Sequence, residues 1–487
     1  MKYFWFFVGF VLLIFILFYI VVFTHPGNNI VRPIIQSEII KRTMTPAKVT
    51  KFSLSVKHID IRIKLDKYNS LLLMGDYSLL SNKLDLKYNV SFNKLQTLYR
   101  VTKKRLYGKL YTHGTITGTL KLLHIDGVSN IADSRTTYHI TVANSQLTSI
   151  TASVKGAKIQ QLLALTAKPA YIDAKTNIDI DFKNITPHKL DGDAKIALFD
   201  TLFNYPLIKR DFNITLPKTT LSMNMNVKMK KNDAIYNYVL NSNLSHITSS
   251  GVVVPQPFHI DGKYNIYMKN LALLTPLTKR VLYGPLYFKG TVKGDLKALH
   301  VNGYSKTLHG NIDAVLKGKT LQAKLNNIQT MPILYILGYP GVFNSVVNAD
   351  MTYDTLSRSG ALNGKLTNGH FTQNLVLSLV RRYANVNLYN QRFDGDISTK
   401  IDKDTTFSNI ALKSNNASII TKNMLLNSKT NAIKAKINIV ANGNPLTINL
   451  SGNIKKPHVS LNIKKLLQKK ASKAIKKQVS NLLKRFF

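Results

Sequence analysis

Residues 58–65 read HIDIRIKL, and the order of these eight letters decides the fold. In an extended chain Ile59, Ile61, Ile63 and Leu65 fall on one side, and His58, Asp60, Arg62 and Lys64 on the other. Period-two alternation marks a strand in a sheet with one dry and one wet face. The rhythm continues outward from there. Leu84, Leu86, Tyr88, Val90 and Phe92 alternate with polar residues, as do Leu221, Met223, Met225, Val227 and Met229. IKAKINIV (433–440), which contains Ile437 and Ile439, repeats the pattern, and LTINL (446–450) follows it. Turn pairs such as Asp191-Gly192, Asn363-Gly364, Asp394-Gly395 and Asn442-Gly443 separate the runs, as in antiparallel meanders. The expected fold is mainly β and antiparallel, with Ile59, Ile61, Ile63, Leu221, Met223, Met225, Val227, Ile437 and Ile439 on its dry face.

Three segments break the alternation. In 94–105, 159–166 and 373–385 apolar residues recur at intervals of three and four, which predicts short amphipathic helices. Such helices either close the ends of the sheet and fill its dry face or pack as ordinary surface helices, and the sequence leaves both open. A repeat organises the whole. LYGKLYTHGTITGTLKLLHIDG (106–127) aligns without gaps to LYGPLYFKGTVKGDLKALHVNG (282–303), with 13 of 22 positions identical. The same offset pairs Lys87-Tyr88-Asn89 with Lys263-Tyr264-Asn265, and a slightly shorter one pairs Pro169 and Asn177 with Pro340 and Asn348. Repeat units of about 87–182 and 263–354 follow. A unit ending in open sheet edges cannot bury its dry face alone, so the units are expected to stack end to end into an elongated β groove.

Both termini point to membranes. Tyr3 to Phe23 is an uncharged and almost wholly apolar run, long enough as a helix for the roughly 30 Å hydrocarbon core of a bilayer. It lacks the small-residue cleavage site of a signal peptide, so residues 1–25 read as an uncleaved transmembrane anchor. Lys2 before the run and Arg32, Lys41 and Arg42 after it leave the orientation undecided by charge alone. Residues 463–487 read IKKLLQKKASKAIKKQVSNLLKRFF, with apolar residues at helical spacing, nine Lys or Arg and no acid. This is the pattern of a membrane-surface helix, with Leu466, Leu467, Ile475, Leu482 and Phe486 on its apolar stripe and Lys469, Lys470, Lys476 and Lys477 on its cationic face. A helix packed on the domain through the same stripe is the alternative. The body is then 26–462.

Composition narrows the function classes. The chain of 487 residues has no cysteine, which excludes disulfides, thiolate nucleophiles and cysteine-ligated metals. Its 67 Lys+Arg against 24 Asp+Glu give +43, which favours anionic partners. No nucleic-acid module accompanies the lysines, which are spread over the polar faces of the strands, so nucleic acid is not expected as a partner. Asp179-Ile180-Asp181, Asp191-Gly192-Asp193 and Asp394-Gly395-Asp396 resemble metal-holding D-x-D patterns. In strands, however, such pairs are two members of a polar face, and no nucleotide-binding βαβ context surrounds them. The 12 histidines form no metal-binding spacing. No catalytic residue, cofactor or metal is expected.

The closing stretch PLTINLSGNIKKPHVSLNIKKLLQKKASKAIKKQ (445–478) resembles the end of AsmA-like proteins. In that family a G-x-(I/L)-x-x-P-x-V-S-(L/P) element runs into a basic amphipathic helix, and Gly452, Ile454, Pro457, Val459 and Ser460 fill those positions here. The anchor and the long β region fit as well. One departure is that 416–432 is rich in Asn and Lys where many members have a small, glycine-rich strand. The resemblance implies a member of the bridge-like lipid-transfer superfamily, related to TamB. Such a protein is anchored once in the inner membrane, keeps its body in the periplasm, and carries phospholipids along an apolar groove toward the outer membrane or an outer-membrane protein. The alternative is a scaffold for outer-membrane assembly that acts through exposed sheet edges without conducting lipid.

Overall fold

The computed structural model describes residues 24–462 apart from 79, 103–104, 187–188, 374 and 385–386, together with 464, 467–468 and 471–472. The proposed anchor run and most of the basic tail, including Leu466, Lys469, Lys470, Ile475, Lys476, Lys477, Leu482 and Phe486, lie outside the described residues. Leu467 is described and exposed. Among the described residues, no helix is long and apolar enough to cross a membrane.

The described chain is mainly β, with 26 strands from Lys48–Leu54 to Lys456–Asn462 and short helices between them. It divides into two compact units, the first ending at Asn243 and the second running from Phe258 onward, with the strand His246–Pro255 contributing to both. Within each unit every strand pairs antiparallel with its sequence neighbour. In the first unit the order runs from Lys48–Leu54 to Asp233–Ser242. In the second it runs from Phe258–Met268 to Lys456–Asn462.

The two margins of each sheet differ. In the first unit one margin is built from short turns, which include 55–57, 80–82, 120–121 and 144–145. The other margin carries the helical connections Leu95–Leu98 with Tyr99–Thr102, Ile159–Leu165 and Tyr205–Phe212. The predicted helical segments therefore exist. The third, Leu375–Ala384, belongs to the second unit. Local chemistry sets their limits: Asn204 caps Tyr205–Phe212 by accepting from the Leu207 N–H at 3.2 Å, and Pro206 takes an early position that needs no donor.

The sequence repeat is also a structural one. Tyr88 Oη donates to the Asp126 carbonyl at 3.3 Å, and Tyr264 Oη, 176 residues on, donates to the Asn302 carbonyl at 3.0 Å. The Leu95 N–H donates to Gly108 O at 3.2 Å and Leu271 N–H to Gly284 O at 2.9 Å. Ser129 Oγ reaches Tyr111 O at 2.9 Å, as Ser305 Oγ reaches Tyr287 O at 2.6 Å. Glycine makes the tyrosine position possible: a Cβ on Gly127 would stand 2.2 Å from Tyr88 Oη.

Bulges bend the strands by a recurring device. Gly156 and Asn327 each interrupt the register with a left-handed φ, of 69° and 54°, and each N–H donates at 2.8 Å to a neighbouring-strand amide, Asn177 Oδ1 and Asn348 Oδ1 respectively. Asn423 N–H donates likewise to the Asn409 amide and Asn368 N–H to the Asp394 carboxylate, again at 2.8 Å. An unpaired donor inside a sheet is costly, so the side-chain carbonyl stabilises the extra residue.

Candidate functional site: the apolar face

The register joins the alternating residues of the first unit into continuous rows. One row passes from Phe52 through Ile61, Leu73, Tyr88, Gly114, Gly127, Tyr138, Ala152, Ile180, Ala194 and Val227 to Tyr236, crossing all twelve strands. Two strand positions away, Ile63, Leu71 and Val90 lead through Thr112, Ser129 and Thr136 to Val154, Ile178, Ile196, Met225 and Tyr238. At about 4.8 Å per strand each row extends roughly 50 Å. The stripe is assembled from many strands, mostly apolar toward its two ends, with no charged residue in the first row.

Covering distinguishes the two units. Ile59, Ile61, Ile63, Leu221, Met223, Met225 and Val227 all lie on this face and are only half-buried. The packed core of the first unit is a small cluster of Ala47, Leu65, Leu95 and Leu98 at the helical margin. In the second unit part of the face is closed. Leu377 and Val380 of the helix Leu375–Ala384 join Val347, Phe393, Ile419 and Ile448 in one core. Ile439 is 1% exposed inside that core, and Ile437 packs against it. Of the nine sequence-predicted residues, Ile439 is buried in a core, Ile63 and Ile437 are half-buried against the core of their own unit, and the other six are half-buried on the face away from these clusters.

Hydroxyl groups interrupt the middle of this face. Tyr88 Oη and Tyr138 Oη lie 2.5 Å apart over Gly127, and Thr112 Oγ1 is 2.5 Å from Tyr138. Burial, with the Tyr138 hydroxyl beside it, pushes the Tyr88 phenol well above its ordinary range. The trio satisfies itself and adds no charge.

The wet face is a grid of lysines and aspartates. Asp60 is the deepest, 7% exposed, between Lys51 at 2.5 Å and Arg62 at 3.3 Å. Burial alone would raise its carboxyl, but the two cations outweigh burial and hold it below the usual aspartate range. A hollow of about 770 Å³ gathers Asp126, Asp179, Asp181 and Asp193. Three of these acids are occupied by neighbours: Asp126 by His139 at 2.7 Å, Asp179 by Lys155 at 2.7 Å and Asp181 by Lys183 at 3.1 Å. The Asp179/Asp181 pair thus sits in ion pairs on a sheet surface, Asp191 is paired with Lys189 at 2.9 Å, and Asp394 accepts from the Asn368 N–H. Among the described residues, no three His, Asp or Glu converge as a metal site. His124, from the repeat, stacks on His139 at 5.7 Å.

Sequence reasoning missed the capped sheet edge. The helix His25–Thr43 lies along the first strand and supplies the partners that another strand would. Asn28 Nδ2 donates to Leu54 O at 2.9 Å while its Oδ1 accepts from Leu54 N–H at 3.0 Å. Arg32 Nε donates to Val49 O at 2.7 Å, and Gln36 Oε1 accepts from Val49 N–H at 3.0 Å. Evenly spaced amide and guanidinium side chains in 28–36 were the available signal. No family model matches this chain, and no curated protein matches it.

Proposed function

We propose that this chain is an AsmA-like, membrane-anchored lipid-transfer protein that carries phospholipids along the apolar face of its β body. The observation that carries the reading is the uncharged row from Phe52 to Tyr236, which crosses twelve strands and is half-buried along most of its length, with Ala194 and Tyr236 buried. Leaving such a stripe in water is unfavourable, and an acyl chain laid on it gains about 0.8 kcal/mol per buried methylene. A lipid held in this way keeps its headgroup in water and needs no polar recognition site. The wet face suits the same task, because 67 cations against 24 acids leave an excess of 43 for anionic headgroups and surfaces.

In this reading residues 1–25 are the single transmembrane anchor, 463–487 is the membrane-surface helix, and the body lies in the periplasm between the inner membrane and the outer membrane or a protein in it. The groove is not catalytic and uses no cofactor. The scaffold alternative relies on exposed sheet edges, and the capping of the first strand by Asn28, Arg32 and Gln36 weighs against it. Mass spectrometry of lipids that co-purify with the full chain tests the proposal, followed by uptake of a fluorescent phospholipid after delipidation. Phospholipid is expected in both. A folded chain that takes up none would refute lipid carriage.

A further inference from the structure

We propose that the three hairpin tips nearest the anchor, Val56-Lys57, Leu80 to Lys83 and Leu120-Lys121, rest on an anionic lipid surface and fix how the body stands on its membrane. The inference builds on the anchor in the proposed function and is independent of lipid carriage by the apolar face. Its starting point is where the apolar run ends. Thr24 caps the helix His25–Thr43, accepting from Gly27 N–H at 3.5 Å. The first turns of that helix lie beside Leu54, through Asn28, while Arg32 and Gln36 reach back to Val49. The far end lies at the opposite margin, where Arg100 donates to Met44 O at 3.0 Å. Tyr3–Phe23 therefore joins the body at the margin where the first strand turns through Ser55, Val56 and Lys57.

That margin carries the tips. Turns ordinarily use Gly, Asn, Asp or Ser, whose side chains suit water and the tight backbone. Here Leu80 is 100% exposed, Leu120 67% and Val56 38%. Lys57, Lys83 and Lys121 stand beside them and are exposed too. The nearby acids stand further along the strands: Asp76, held by His58 at 2.7 Å, and Asp85 opposite it. An aliphatic side chain flanked by a cation, presented at a tip, fits the boundary between acyl chains and anionic headgroups. Successive tips are two strands apart, about 10 Å, so three of them form a short row. Sheet twist of roughly 20° per strand turns later tips away, which limits the contact to the first hairpins. The Leu296-Lys297 and Leu356 to Arg358 tips of the second unit share the signature but are not included.

The cysteine-free chain permits a direct test. Full-length variants Leu80→Cys, Leu120→Cys and Lys168→Cys, the last exposed on the helical margin, would each carry an environment-sensitive fluorophore. They would be reconstituted in vesicles of phosphatidylcholine with phosphatidylglycerol. The labels at 80 and 120 should shift to the blue and be quenched by spin-labelled lipid at least twofold more than the label at 168. Replacing Lys57, Lys83 and Lys121 by Glu, or using vesicles of phosphatidylcholine alone, should halve that quenching. Labels at 80 and 120 that report the same water exposure as 168, in a chain that floats with the vesicles, overturn the proposal. A chain that does not float overturns the anchor and this inference with it. Lipid uptake measured on the same samples succeeds or fails separately.

Discussion

Placing a charge in the middle of the open face separates lipid carriage from every role in which the face is incidental. Val227 is half-buried, between Ala194 and Tyr236 across the sheet. Val227→Asp removes about half of a valine's burial, a cost of about 1 kcal/mol, and the new carboxylate stays hydrated while the face is empty. The fold should survive. When an acyl chain crosses that point it must strip water from the carboxylate, at a cost of several kcal/mol. Taking about 3 kcal/mol, local occupancy by lipid falls by roughly 10²-fold, since 1.4 kcal/mol is a factor of ten. A continuous track fails at its worst point, so transfer of fluorescent phospholipid between donor and acceptor vesicles by the full chain should fall by a similar factor. Asn226→Asp is the matched control. It adds the same charge one residue away on the wet face, opposite Lys195, and should leave transfer unchanged. If Val227→Asp keeps its circular dichroism spectrum and transfers lipid at the parent rate, lipid does not travel along this row.

Three further outcomes check the structure itself. Ile439→Ala should cost about 3 kcal/mol in urea unfolding because it leaves a cavity in the second unit's core, whereas Ile61→Ala on the open face should cost about 1 kcal/mol; equal losses would mean that the two faces are equally covered. Asn348→Ala removes the acceptor for the Asn327 N–H and should lower stability by about 1 kcal/mol, with Asn348→Asp retaining most of it. Asp60→Asn should cost about 1–3 kcal/mol at neutral pH. Because the folded carboxyl lies below its unfolded value of about 3.9, its contribution is complete above that pH and is lost as pH falls through the folded value. Parent and variant should therefore converge only in strong acid, and a gap that persists there would point to packing.

The strands were legible because alternation reports which side of a strand is apolar. HIDIRIKL and IKAKINIV carry the same rhythm, and both form strands with their isoleucines on one face. What lies over that face is a tertiary fact. Ile61 is half-buried and Ile439 fully buried because Leu377 and Val380 come from a helix some 60 residues earlier, and nothing in IKAKINIV encodes their arrival. Segment 373–385 was readable as an amphipathic helix, but not as the element that closes the sheet. The bulges were half legible. Asn177 and Asn348 stood out as matched repeat positions, yet their work is done on the N–H groups of Gly156 and Asn327, about 20 residues upstream on another strand. The tip leucines escaped notice because Leu80 and Leu120 adjoin further leucines and read as strand, until the register put them in turns.

The two repeat copies also indicate which positions are fixed by the scaffold and which by a ligand. Residues that hold the sheet together are identical between copies: Tyr88 and Tyr264, Gly114 and Gly290, Gly127 and Gly303, Ser129 and Ser305. Apolar side chains vary in size, Ile116 becoming Val292 and Ile125 becoming Val301, and the hydrogen-bonded Thr112 and Tyr138 are replaced by the apolar Phe288 and Ala314. A site that recognises a polar ligand by hydrogen bonds would require the reverse, because a misplaced donor loses its bond outright. Binding by apolar area tolerates such changes, since its free energy scales with the surface removed from water and not with the identity of the group that provides it. An invariant frame carrying a variable lining therefore fits the proposed carriage of acyl chains without headgroup selection.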